Sequence, residues 1–364
     1  MDLASPDELI GPCAGFKVLD FSTMVSGPLA GQNLGDLGAD VIKIETTFGD
    51  TARWVGPPER GGLNGFYSQL NRNKRCIALD LKTDGGREIA QRLAQDADVV
   101  IQNFRPGVAD RLGIGYEELS RDNPGLVYVS VSGFGPDGPY SSQPVYDLVI
   151  QGMSGLLPDQ GGKGNKPEML KSVIADKATA ITAASSALAA LLARERNNGQ
   201  GQHVQVPMIN AFAQLALADG MSPETFVPPP EWDEFVPDLF RVWECADGYL
   251  VGTVIEEKQY QALCNVLGLE EYVNDERFLN VGNRMRNLGL MNDLFEPEFR
   301  KLDWQPLLEK LREHEIPFGP VYDLQGFLDD PQVQHNRTVF EAEDPIAGTM
   351  RYVRHPGVYE KTPA

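Results

Sequence analysis

Short apolar runs alternate with amphipathic stretches along the first 220 residues, and each run has the length of a strand. Phe16–Phe21 (FKVLDF) comes first, followed by Ser26, Gly27 and Pro28 and a helical stretch over Leu29–Leu37. Proline suits a first helical turn, where its missing N–H has no partner to lose. Asp40–Glu45 (DVIKIE) alternates like a strand, and Asp98–Asn103 (DVVIQN) and Leu126–Val131 (LVYVSV) read as buried strands. Ile89, Leu93 and Ala94 give Gly85–Gln95 helical spacing. Lys177–Arg194 is a long Ala/Leu-rich helix ended by Asn197, Asn198 and Gly199; a strand at His203–Pro207 and a helix from Ile209 follow. Strands alternating with helices predict βαβ units and a mostly parallel sheet, an α/β fold.

The pattern changes after residue 220. Met221–Pro237 carries Pro223, Pro228, Pro229, Pro230 and Pro237 without periodicity, which predicts a linker and a domain boundary. Arg241–Val254 reads as a hairpin around Ala246, Asp247 and Gly248, and helical spacing then runs to about Glu315. With 364 residues, 42% of them apolar, the chain can bury a sizeable core and divide into about two domains.

Charge narrows the partners. The net charge of −20 excludes a general nucleic-acid binder, because such binding depends on neutralising phosphates. It disfavours an anionic membrane surface for the same reason. The charge is uneven: residues 221–350 carry a net −16, whereas residues 40–111 hold 11 basic against 10 acidic side chains. That neutral island contains Lys43, Arg53, Arg72, Lys74, Arg75, Lys82, Arg105 and Arg111, and a phosphorylated ligand is expected there.

Cys13, Cys76, Cys245 and Cys264 form no CxxC pair, and the four histidines all lie at or after His203. A dedicated metal site is therefore not expected. The N-terminus (MDLASPDELIGPCAG) is acidic and has no apolar core of a signal peptide, so a soluble, cytoplasmic protein is expected.

Few motifs carry chemistry. Gly133–Gly138 (GFGPDG) fits GxGxxG, but Pro136 removes an amide that a pyrophosphate would need, so a glycine-rich turn is expected. No GxxxxGK[ST] or GxSxG is present. Asp176 ends the run Val173–Ala175 and begins the long helix. It reads as an ordinary N-cap, or as a carboxylate nucleophile; the helix terminus should favour its ionised form. Asp147 in Tyr146–Asp147 reads as a cap beside a packed tyrosine. Asn103–Gly107 (NFRPG) leaves a strand at the edge where open α/β sheets bind ligands.

Together these segments resemble the family III CoA-transferases, the CaiB/BaiF family. The segments that carry the resemblance are VLDFSTMVSGPLAGQNLGDLGADVIKIE (18–45), NRNKRCIALDLKTDGG (71–86), ADVVIQNFRPGVADRLGIGYEEL (97–119) and NPGLVYVSVSGFGPDGPY (123–140). YDLVIQGMSG (146–155), LLARERNNGQGQHVQVPM (191–208), ADGYLVG (246–252) and IPFGPVYDL (316–324) extend it. The resemblance implies a Rossmann-like large domain over 1–220 and 321–364, a smaller inserted α+β domain over 226–320, and an interlocked homodimer. It implies that Asp176 is the nucleophile and that Met24, Val25, Leu79, Lys82, Asn103, Phe104, Arg105, Arg111 and Tyr146 contact CoA. CoA and acyl-CoA are then substrates, with a carboxylic acid as acceptor and no tightly bound cofactor.

α-Methylacyl-CoA racemases belong to the same family and are the alternative, with a non-catalytic CoA-binding homologue as a third. The racemases place a histidine before the aspartate matching Asp147. Here Tyr146 stands there, and a phenol is a poor base near neutrality. Formyl-CoA transferases follow their KIE motif with arginine and carry an active-site glutamine. Thr46 and Val25 occupy those positions here, and Pro144 replaces a lysine near the CoA-binding stretch. Oxalate and formate are therefore not the expected acids.

Overall fold

The computed structural model describes residues 9–56, 59–162, 164–229 and 239–363. They divide into two compact units, one formed by residues 1–225 with 337–364 and one by 226–336. Residues 321–336, expected with the large domain, cluster with the second unit. Residues 230–237 of the expected linker lie outside the described residues.

The first unit is built on six parallel strands: β1 (Lys17–Asp20), β2 (Asp40–Glu45), β3 (Lys74–Ala78), β4 (Val99–Gln102), β5 (Val127–Ser132) and β6 (Gln202–Pro207). Their spatial order is β3-β2-β1-β4-β5-β6, the doubly wound order of dinucleotide-binding folds. The expected parallel sheet is present, with one strand added. β3 (KRCIA) is a charged edge strand whose side chains are largely exposed, so no apolar run marks it.

Helices α1 (Ser26–Asp36), α2 (Gly65–Asn71), α3 (Asp84–Gln95), α4 (Val108–Arg111) and α5 (Tyr116–Asp122) connect the first strands. α6 (Asp147–Met153), α7 (Leu156–Gly161), α8 (Ile174–Arg196) and α9 (Met208–Gly220) follow. Alternate residues Val127, Val129 and Val131 of β5 share a core with the alanines of α8, among them Ala180, Ala183 and Ala187. Alanine every three or four positions keeps one side of α8 flat, so α1 packs close against it. Gly27, Gly31 and Gly35 form a second small face on α1. A Cβ on Gly27 would overlap Ser22, and one on Gly31 would press on Asp20 and Lys74. GFGPDG is a loop, as expected: the next helix begins only at Asp147. No helix among the described residues is long and apolar enough to cross a membrane.

The second unit holds the expected hairpin, β7 (Val242–Glu244) and β8 (Tyr249–Gly252), joined by β9 (Phe318–Pro320) into an antiparallel sheet. Helices α10 (Glu257–Leu267), α11 (Val281–Arg286), α12 (Leu288–Phe299), α13 (Trp304–Glu313), α14 (Leu324–Asp329) and α15 (Pro331–His335) complete it. Its own core centres on Trp243, stacked on Phe299 with ring centroids 4.7 Å apart. The chain then adds β10 (Val339–Asp344) and β11 (Gly348–Val353) to the first unit, where Gln69 of α2 donates to the Arg351 carbonyl at 2.6 Å.

Candidate active site

In this strand order the chain reverses direction of winding between β1 and β4, and open sheets of this kind bind ligands at that crevice. The two loops that leave β1 and β4 there are joined to each other. The Thr23 N–H donates to Asn103 Oδ1 at 2.9 Å, and Asn103 Nδ2 donates to the Thr23 carbonyl at 2.7 Å. Met24 follows with φ +68, the left-handed region that costs a non-glycine residue energy. Its N–H is held by Asp50 Oδ1 at 3.0 Å. α1 then begins at Ser26.

Asp176 lies in the first turn of α8, half-buried, but it is not the cap. The cap position is Val173, which offers no acceptor. The Asp176 N–H instead donates to Asp147 Oδ2 at 2.9 Å, so Asp147 caps a helix 29 residues away rather than its own. Asp147 is itself fixed: Gln151 Nε2 donates to its Oδ1 at 2.5 Å and to the Ser172 carbonyl at 2.8 Å. Tyr146, expected to be packed, is 73% exposed.

The Asp176 carboxyl is pushed up to about 6, first by burial and then by the Asp147 charge; the hydroxyl and backbone N–H of Ser26 face it and act in the opposite sense. The expectation that the helix terminus would favour its ionised form is thus overturned. Burial and a second carboxylate outweigh the dipole.

The basic island separates into two groups. Lys43 pairs with Asp50 and Asp20, Arg53 with Glu45, Arg72 with Asp36, Lys74 with Asp20 and Arg75 with Asp40. Lys82, Arg105 and Arg111 are exposed and have no acidic partner among the described residues. Composition could not tell the two groups apart.

A family model described as CoA-transferase family III matches residues 13–364. The chain is 34% identical to the succinate–glutarate CoA-transferase of Agrobacterium fabrum, over 97% of this chain and 90% of that one. It is 36% identical to a probable fatty acyl-CoA transferase of Mycobacterium tuberculosis, over 96% and 92% of the two chains. The crystal structure of a CaiB/BaiF family protein from Brucella suis superposes with a TM-score of 0.84 at 31% identity, covering 97% of this chain and 94% of that one. The chain belongs to CoA-transferase family III.

The residues that the resemblance assigned to this CoA-transferase all fall in the first unit, beyond the C-terminal ends of strands or beside α8. Met24 is half-buried and Val25 buried in the turn after β1. Leu79 follows β3, buried, and its N–H donates to the Glu45 carbonyl at 2.9 Å; Lys82 stands exposed on the turn beyond it. Asn103, Phe104 and Arg105 follow β4, with the Phe104 N–H held by Gln102 Oε1 at 2.7 Å, and Arg111 ends α4. Tyr146 precedes Asp147, the residue that accepts from the Asp176 N–H. Sequence reasoning missed Ser26 and Asp50 as parts of this assembly and read Lys43 only as a charge of the basic island. Nothing in the spacing links residue 26 to residue 176.

Replacing Asp147 by asparagine keeps an acceptor for the Asp176 N–H and deletes the neighbouring charge. The Asp176 carboxyl in Asp147→Asn is therefore expected to titrate below about 6, followed by 13C NMR of labelled aspartate. An unchanged or higher value would show that Asp147 does not act on Asp176 through its charge.

Proposed function

We propose that this CoA-transferase moves CoA from an acyl-CoA donor to a free carboxylic acid, with Asp176 as the covalent nucleophile. The observation that carries the reading is the environment of Asp176: a carboxylate partly withdrawn from water, held at a helix start by Asp147 and faced by the donors of Ser26. A carboxyl at about 6 is mostly ionised at pH 7. Its partial desolvation makes it a stronger nucleophile than a carboxylate in water.

The steps follow. An Asp176 oxygen adds to the donor thioester carbonyl, the C–S bond breaks, and a mixed anhydride and CoA thiolate result. The thiolate attacks the aspartyl carbonyl, the anhydride C–O bond breaks, and the donor acid leaves. The aspartyl-CoA thioester then meets the acceptor carboxylate. That carboxylate displaces the thiolate to form a second anhydride, and the thiolate returns to the acceptor acyl carbon, freeing Asp176. The N–H and hydroxyl of Ser26 are placed to stabilise the oxyanions formed on the way.

Lys82, Arg105 and Arg111 supply the phosphate contacts, because their charges are not consumed by the protein. The loops after β3 and β4 are three strand spacings apart, ~14 Å, a span that an extended nucleotide covers. Met24, Val25, Leu79, Asn103, Phe104 and Tyr146 line the path between phosphates and Asp176. Tyr146 stands where the racemases carry histidine, and a phenol is a poor base near neutrality, which supports transfer over racemisation. α6, α8 and α9 leave Leu148, Met153, Ile181 and Leu215 exposed, a face that a second copy of the chain covers in an interlocked homodimer.

In Asp176→Asn, transfer between an acyl-CoA and an acid is expected to fall by at least about 10³-fold, assayed by mass spectrometry of the acyl-CoA pool. Because the native carboxyl titrates above its ordinary value, the folded state loses stability as pH rises from about 4 to about 6. The variant is therefore expected to melt above the native protein at pH 7, with the gap closing below about pH 4. A stable variant that keeps most of its transfer activity would overturn the assignment. Arg105→Ala and Arg111→Ala are each expected to raise KM for acyl-CoA about tenfold, the loss of one charge-assisted contact, whereas Arg75→Ala leaves it unchanged. Equal effects from all three would contradict the division of the basic island.

A further inference from the structure

Full charges are buried beneath the turn that carries Ser26. The side chains of Asp20, Lys43, Asp50 and Lys74 are 0% exposed. Lys74 Nζ donates to Asp20 Oδ2 and Asn71 Oδ1 at 2.8 Å and to the Pro28 carbonyl at 2.7 Å. Lys43 Nζ lies 3.0 Å from Asp50 Oδ2 and 3.8 Å from Asp20 Oδ2, and it donates to the Ser22 carbonyl at 2.7 Å.

The first three residues of the turn are held by side chains from elsewhere in the unit. Ser22 donates its N–H and hydroxyl to Asp20 Oδ1, and its carbonyl accepts from Lys43 Nζ. Thr23 is tied at both backbone groups to Asn103. Met24 is kept at φ +68 by Asp50 Oδ1, which also accepts from the Ala52 N–H at 2.9 Å. A left-handed methionine persists only where its surroundings over-determine it. Two residues later α1 begins at Ser26 and packs against α8, whose first turn carries Asp176, and the Ser26 donors act on that carboxyl. Among the described residues, Lys43 is the side chain that reaches both the carbonyl at the start of the turn and the carboxylate that holds its strained residue.

We propose that Lys43 is a positioning residue for the transfer reaction: through the Ser22 carbonyl and the Asp50 carboxylate it holds the 22–26 turn so that the Ser26 donors stay aimed at Asp176. The inference rests on the reading of Asp176 as the reacting carboxylate. Buried ion pairs contribute little net stability against apolar replacements, so a role in holding geometry accounts for charges whose burial stability alone does not require.

The test compares Lys43→Met with the double variant Lys43→Met/Asp50→Asn. The single variant strands the Asp50 carboxylate in the interior and is prone to misfold. The double variant leaves no unpaired ion, keeps an amide oxygen for the Met24 N–H, and leaves the net charge near Asp176 unchanged. Losing the Ser26 donors removes what favours the charged form. The Asp176 carboxyl, followed by 13C NMR, is therefore expected to move up by about half a unit or more in the folded double variant. kcat is expected to fall about tenfold or more, with KM for acyl-CoA held within about threefold. A folded double variant with a lower melting temperature but an unmoved Asp176 titration and an unmoved kcat would overturn the proposal. The titration does not depend on Asp176 being the nucleophile. If Asp176→Asn retains transfer while the titration still moves, the mechanism falls and the positioning stands.

Discussion

The bond from the Asp176 N–H to the Asp147 carboxylate sets the conditions for the rest of the site. The first turn of an α-helix leaves N–H groups without intrahelical partners, and one buried without an acceptor is costly. α8 begins after Val173, which cannot cap it, so the acceptor comes from α6. That solution places a second carboxylate beside the first. Partial burial and the neighbouring Asp147 charge together hold the Asp176 carboxyl above its ordinary value. A helix-capping requirement and a carboxyl that titrates above its ordinary value are thus met by one contact.

The sheet supplies the other half. Because β1 and β4 are neighbours at the point where winding reverses, their loops meet, and Asn103 locks them together. Asp20 ends β1 and Lys43 lies near the end of β2, paired in register with it, so a buried ion pair is assembled by strand geometry alone. Burial pushes the Asp20 carboxyl up, but Lys43 and Lys74 overcome this and hold it down at about 2. The glycine face of α1 gives these side chains room. Folding the core and shaping the turn before Ser26 are therefore one event.

Most of the first unit was legible as strand-length apolar runs, because β1, β2, β4 and β5 are buried and lie in the middle of the sheet. β3 and β10–β11 were not, since charged side chains interrupt each of them and their residues are half-buried or exposed. Of the site, single residues were legible and relations were not. Asp176 announced itself at a helix start, yet spacing made it a cap and placed its titration on the wrong side of the ordinary value. Tyr146–Asp147 suggested local capping, whereas the tertiary fold sends that carboxylate to another helix. The basic island located the charges but could not separate Lys43, Arg53, Arg72, Lys74 and Arg75, which the protein consumes, from Lys82, Arg105 and Arg111, which it leaves free.

Transfer through Asp176 requires a covalent bond between that carboxylate and the substrate. Its most direct measurement is peptide mass spectrometry of the native enzyme, quenched with hydroxylamine while it turns over an acyl-CoA donor. The account predicts a hydroxamate on Asp176, formed only when donor is present and absent at Asp147. Sustained turnover with Asp176 unmodified, or with the adduct on another residue, would contradict it.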